Sequence, residues 1–186
     1  MGFCMRKLGI IYVLLLAAPL TVVADDAFLY WGVMVGQAQV KGQDPLGANF
    51  NYDPTNFTGR LGLELGRILS VEVRAMRSNK DEDAPGEKLE INYLGNAMVK
   101  LNIPFGDVKR VNVYGLAGYS AWKLTADSSG DIAHDTYDGP SYGVGIDLIG
   151  DGINGLNFEY VRYGDYDENG LSYNLDSASI GYFRRF

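Results

Sequence analysis

Cysteine and histidine are almost absent from this chain of 186 residues: Cys4 and His134 are the single representatives of each. One cysteine excludes a disulfide scaffold and a cysteine-based zinc site. One histidine leaves little room for a histidine-rich metal centre, so no metal and no cofactor are expected. Positive charge is scarce as well. The 16 Lys and Arg stand against 23 Asp and Glu, a formal charge of −7, which excludes the basic surface that a nucleic-acid partner needs. No apolar run reaches the ~20 residues of a membrane-spanning helix. The apolar share, 47%, in turn excludes a disordered chain.

What is present begins with a leader. Arg6 and Lys7 precede an uncharged stretch from Leu8 to Ala18, and Val22-Val23-Ala24 precedes Asp25-Asp26. A basic start, a short apolar run and small residues before a polar junction make a secretory signal over residues 1–24. Cys4 leaves with it. The remaining domain, residues 25–186, keeps 14 basic residues against 23 acidic ones, a charge of −9. It is rich in glycine and tyrosine, so its stability must come from a sheet rather than from disulfides.

Period-two alternation dominates this domain, and helical periodicity is weak. Eight strands are predicted, at about 28–40, 57–66, 70–77, 89–101, 111–123, 141–148, 155–163 and 171–186. Phe57, Leu61, Leu63 and Leu65 alternate with Arg60 and Glu64; Val71 and Val73 alternate with Glu72 and Arg74. In the fourth strand Leu89, Ile91, Tyr93, Ala97, Val99 and Leu101 share one face, and Glu90, Asn92, Asn96 and Lys100 share the other. In the fifth, Val111 and Val113 oppose Asn112 and Tyr114. In the sixth, Tyr142, Val144, Ile146 and Leu148 oppose Gly143, Gly145 and Asp147. In the seventh, Leu156, Phe158 and Tyr160 oppose Asn157 and Glu159. The connections 66–70, 102–110 and 149–154 form a shorter set. Those at 41–56, 78–88, 124–140 and 164–170 are generally longer and read as loops.

An eight-stranded meander closes either as a soluble barrel with an apolar interior or as a membrane barrel with an apolar exterior. Polarity alone does not say which face points inward. The small residues and few lysines on the polar face favour a narrow lumen, and Tyr and Phe near strand ends favour a membrane-interface girdle.

An ordered set of stretches then carries a resemblance: Val113-Tyr-Gly-Leu-Ala-Gly-Tyr119, Tyr142-Gly-Val-Gly-Ile-Asp147, Leu156-Asn-Phe-Glu-Tyr160, Ser179-Ile-Gly-Tyr182 and the terminal Phe186. Together they resemble the small outer-membrane barrels of Gram-negative bacteria, of the opacity, outer-membrane protein A and outer-membrane protein X type. The resemblance implies an eight-stranded antiparallel up-and-down transmembrane β-barrel in the outer membrane, monomeric and in contact with lipid and lipopolysaccharide. It implies that Ile180, Tyr182 and Phe186, in one phase of the last strand, belong to the signal read by the barrel-assembly machinery. Arg184 departs from the family's pattern: either it reaches the headgroup layer or a bulge shifts the phase.

In such a barrel the polar face becomes the lumen, where isolated charges cost several kcal/mol. A network is therefore expected among Arg60, Glu64, Glu72, Arg74, Glu90, Lys100, Asp147 and Glu159. It can serve as a solvated plug or as a narrow ion path. A soluble periplasmic lipid-binding barrel is a further alternative. The four longer connections hold 13 of the 23 acidic residues, a soluble rim with no calcium-loop spacing; host surfaces or phage could meet it there. Small barrels of this kind can modify lipids through a Ser–His pair. Here only His134, with Ser128, Ser129 or Ser141, could form one, and no catalytic residue is expected.

Overall fold

The computed structural model describes residues 27–43, 47, 49–84, 87–105, 110–128, 131–168 and 171–186. The expected signal segment lies outside them. Ten strands follow in chain order: β1 (Ala27–Gln43), β2 (Asn49–Tyr52), β3 (Thr55–Leu65), β4 (Leu69–Ser78), β5 (Asp81–Ala84), β6 (Glu87–Phe105), β7 (Val111–Ser128), β8 (Asp131–Ile149), β9 (Asn154–Glu168) and β10 (Leu171–Arg185). Eight are staves. β2 and β5 are short additions that pair on β1 and β6 at one rim.

Each stave runs antiparallel to the next, and β10 returns to β1 in unbroken register from Tyr30↔Arg185 to Gln43↔Ser172. The sheet is thus closed: over the register shared by the eight staves each has a partner on both sides, and the extension Asp131–Ser141 of β8 pairs with β7 alone. At the rim that holds both described chain ends, the turns after β3 and β8 are tight. Gly66 and Gly152 adopt φ of 77° and 84° there, which glycine reaches without steric cost.

The alternation resolves the orientation. Leu61, Val73 and Val144 are 55%, 57% and 62% exposed, whereas Arg60, Glu72 and Asp147 are 3%, 2% and 1% exposed. Apolar side chains face outward and the ionic stripe faces the lumen.

Three sequence readings need correction. First, all four segments read as loops, at 41–56, 78–88, 124–140 and 164–170, are largely strand. β6 and β8 are 19 residues long and β7 18, so the hairpins continue the ladder well past the ~9–11 residues that cross a membrane. Second, the fourth predicted strand does not keep one face. Asn92 is an extra residue between the pairs Ile91↔Leu124 and Tyr93↔Lys123. This bulge reverses the phase, so Leu89 and Ile91 point inward while Tyr93 and Val99 point outward. A second shift, between Leu175 and Asp176, leaves Tyr163 of β9 as the extra residue. Third, no bulge lies near Arg184. It pairs in register with Asn154 and Trp31 and is exposed on the outward phase, so its guanidinium extends to the rim.

Candidate functional site

The lumen holds two layers. Nearer the tight turns, six of the eight residues expected to form an ionic network converge. Glu72 is at the centre: its Oε2 accepts from Arg74 Nε at 2.7 Å, its Oε1 accepts from the Tyr30 hydroxyl, and Arg60 Nη1 and Lys100 Nζ lie 3.6 and 3.9 Å from Oε1. Arg74 also grips Glu159 bidentately, Nη1 at 2.5 Å and Nη2 at 2.9 Å. Two parallel N–H···O bonds of this kind fix orientation as well as charge. Lys100 Nζ donates to Asp147 Oδ2 at 2.6 Å and stands 3.9 Å from the centroid of the Tyr114 ring. Three cations thus meet three carboxylates, and the buried layer is neutral.

Aromatic side chains complete this layer. The Tyr114 hydroxyl donates to Glu159 Oε2 at 3.0 Å and accepts from Asn157 Nδ2 at 3.2 Å. The Arg60 guanidinium lies over the Tyr30 and Phe183 rings, at 5.8 and 5.4 Å. Tyr30 pairs with Gly62, and Tyr114 with Gly145. A Cβ on either glycine would come within 2.5 Å of the facing ring, so these glycines exist to seat the rings, a more specific role than barrel curvature.

The other two expected members lie elsewhere. Glu64 sits at the turn rim and accepts from Arg185 Nε at 2.9 Å. Glu90 is half-buried on β6 between the inward Leu89 and Ile91, so ahead of the Asn92 bulge it lies on the outward phase and not on the lumen face of Lys100. Reasoning from alternation missed Tyr30 and Tyr114. The signal was available for Tyr114, an aromatic on the same face as Asn112.

Nearer the long hairpins, the lumen is filled by a different chemistry. Val40, Met76, Leu89, Ile91, Leu94, Trp122, Tyr163 and Leu175 form one buried apolar cluster with Tyr52 and Tyr173. Tyr137 packs on it, its ring 6.2 Å from Trp122 and 5.2 Å from Tyr173. At this height the outside turns polar: Gln37, Lys41, Thr55, Arg77 and Thr136 are exposed.

The Ser–His possibility narrows. Ser141 faces inward, shares a hydrogen bond with Ser120 and donates to the Tyr163 carbonyl at 2.9 Å, an occupied hydroxyl. The side chains of Ser128, Ser129 and His134 lie outside the described residues. Ile180 and Phe186 are 44% and 69% exposed and Tyr182 half-buried, all on the outward phase of β10.

A family model for the outer membrane protein β-barrel domain matches residues 10–186. No curated protein matches the sequence. Among solved structures, the chain is similar to neisserial surface protein A, with a TM-score of 0.66 and 18% identity over 85% of this chain and 97% of that one. It is also similar to Ail, the attachment invasion locus protein of Yersinia pestis (0.57, 14%, 84% and 98%), and to OprG of Pseudomonas aeruginosa (0.53, 11%, 87% and 96%). The chain belongs to the outer-membrane β-barrel domain family and is a transmembrane protein of the Gram-negative outer membrane.

Proposed function

We propose that this member of the family is a closed, non-conducting and non-catalytic barrel whose work is done outside the cell, in surface interaction and envelope integrity. The observation that carries this reading is the filling of the lumen. A neutral ionic layer spans it nearer the turns, and an apolar cluster spans it nearer the hairpins. An eight-stranded barrel is only wide enough for side chains, and an apolar constriction excludes water and ions.

Barrels of this type keep short turns on the periplasmic side and long loops outside. The extended hairpins β5–β6, β7–β8 and β9–β10 therefore project from the cell and present the acidic connections. Ail has been crystallised with the heparin analogue sucrose octasulfate. The acidic rim of this chain argues for a different partner, a basic or cation-bridged surface, because like charges repel.

Planar-bilayer recording tests the reading. The purified protein is expected to be silent, and Arg74→Ala is expected to leave it silent. A steady conductance that disappears in Arg74→Ala would instead establish an ion path through the charged layer.

A further inference from the structure

At the end of the barrel that carries the tight turns, the mouth holds a cavity of about 530 Å³, within the ~300–1,000 Å³ usual for a small-ligand site. Its floor is made of amides. Asn102 and Asn112 are each 7% exposed. Asn112 Nδ2 donates to Asn102 Oδ1 at 2.7 Å, and Asn102 Nδ2 donates to Ser70 Oγ at 2.9 Å. Deeper in, the ion pair of Lys100 and Asp147, at 2.6 Å, belongs to the charged layer that spans the lumen, so the cavity ends blind. One acceptor is left over in this chain of bonds. Asn112 Oδ1 is buried without a hydrogen-bond partner, and Asn112 lines the cavity. A buried carbonyl with no donor is unfavourable, and the cavity is the side from which a donor reaches it.

The walls are apolar and the lip is cationic. Phe28, Pro104, Ile149 and Ile153 form the walls. Four charged residues surround them. Glu64 and Arg185 neutralise each other at 2.8 Å. Arg67, in the exposed turn after β3, and Arg184 have no carboxylate partner among the described residues. The mouth is therefore net positive, although the whole chain carries a charge of −7 and its acidic connections gather at the opposite end.

We propose that this mouth binds the carboxyl end of a short periplasmic peptide whose last residue is apolar. The free carboxylate would meet Arg67, the last side chain would lie between Phe28 and Ile153, and a backbone N–H would donate to Asn112 Oδ1. A guanidinium suits a carboxylate because its planar fork presents paired donors. Each demand of the site excludes a competitor. A fatty acid brings the anion and the apolar body but no donor for Asn112. A sugar phosphate brings donors and an anion but no apolar body. A basic peptide is repelled by the lip. Capture of a terminal carboxylate beside one apolar pocket is a recurring way to hold a peptide. This inference rests on the placement of the tight turns on the periplasmic side, and on neither the closed lumen nor a partner outside the cell.

The test uses the isotope-labelled protein in phospholipid nanodiscs, with the peptide acetyl-Ala-Ala-Leu as the probe and magnetic resonance as the readout. With its carboxylate free, the peptide is expected to shift the side-chain amide signals of Asn102 and Asn112 and the backbone signal of Arg67, and to saturate. The same peptide with an amidated end should bind about fivefold more weakly, the effect of one partly exposed charge pair. In Arg67→Gln the acid should weaken to the level of the amide. Arg110→Gln makes the same change in charge at the same rim but outside the cavity, and should bind the acid as the parent does. Asn112→Ala should weaken acid and amide alike. Arg67 lies in an exposed turn, so its variant decides the matter even where Asn112→Ala fails to fold. The proposal is overturned if no saturable shift appears at these residues, if acid and amide bind equally to the parent, or if folded Asn112→Ala binds as the parent does. Equal weakening by Arg67→Gln and Arg110→Gln would also overturn it, by reducing the site to diffuse attraction. Bilayer conductance without peptide reports on the closed-barrel reading separately.

Discussion

The two ends of this barrel solve opposite problems with the same ladder of strands. Toward the turns, lipid wets the outside and the interior is ionic: Arg60, Arg74 and Lys100 meet Glu72, Asp147 and Glu159. Toward the long hairpins, water wets the outside and the interior is a conventional apolar core around Trp122 and Leu94. The polarity of the wall inverts along its axis. The physical reason is the solvent. Where both the lumen and the surroundings could be apolar, burial of hydrocarbon gives no preference for one face, because lipid tails are as apolar as leucine. Charges that can be satisfied only by one another then set which face points in. Where the surroundings are water, burial of apolar area drives closure in the ordinary way.

The sharpest way to break the comparison is to remove the shared carboxylate. Glu72→Ala leaves Arg60, Arg74 and Lys100 with one carboxylate fewer in a buried layer. Breaking a buried pair by deleting one partner costs about 3–5 kcal/mol, and urea unfolding of the vesicle-bound protein should show a loss of that size. In the apolar layer, Trp122→Ala should also destabilise by roughly 3–5 kcal/mol, here through an unfilled cavity. The two are separable by repair. A double change of Lys100→Met with Asp147→Leu should cost far less than either single change, as expected of ion pairs, whereas no second polar substitution should rescue Trp122→Ala.

A smaller effect tests the outside. Leu61 and Thr55 share the outward phase of β3. Leu61→Arg should cost about 2–4 kcal/mol, the range for a cation facing mid-bilayer lipid. Thr55→Arg, on the wet extension, should stay within about 0.5 kcal/mol. Equal costs would erase the distinction between the two zones.

The smallest effect is at the turn after β8. Asp151 accepts from the Asn154 and Ile153 amides at 2.6 and 3.0 Å and from Asn154 Nδ2 at 2.7 Å. Those bonds, the Asn154 amide first, hold its carboxyl down from 3.8 to about 2. A depressed carboxyl contributes stability that is complete above its ordinary value and is lost as pH falls through the folded one. The slight advantage of the parent over Asp151→Ala should therefore fade between about pH 4 and pH 2, as read from parallel unfolding curves.

Much of this arrangement could be read from the sequence, because a barrel wall writes its two faces into alternate residues. The phases of β3, β4 and β9 and the inward set Arg60, Glu72, Arg74, Lys100, Asp147 and Glu159 follow from that alternation. Two features hid from it. Leu89, Ile91 and Tyr93 keep perfect period-two spacing, yet the extra residue Asn92 turns the first two inward and the third outward; a bulge leaves no mark in a hydropathy pattern. The β7 and β8 extensions are rich in Asp, Gly and Ser around residues 124–140, a composition shared by loops and by strands with a wet outer face. The apolar layer was overlooked for a different reason: Val40, Met76, Trp122 and Leu175 lie in the predicted strands, but near their ends, and alternation assigns Leu89 and Ile91 to the outward face. Glu64 lies on the inward phase but at the turn rim, so its height keeps it from the centre, whereas Glu90, between the inward Leu89 and Ile91, is turned outward by the bulge.

A nitroxide scan along β3, with single cysteines from Thr55 to Leu65 in bilayers, tests the inversion most directly. Labels at 57, 59, 61 and 63 should be accessible to oxygen dissolved in lipid, the label at 55 to an aqueous nickel chelate, and those at 56, 58 and 60 to neither. Lipid accessibility at the even positions, or aqueous accessibility along the whole outward face, would contradict a wall whose polarity reverses between its two ends.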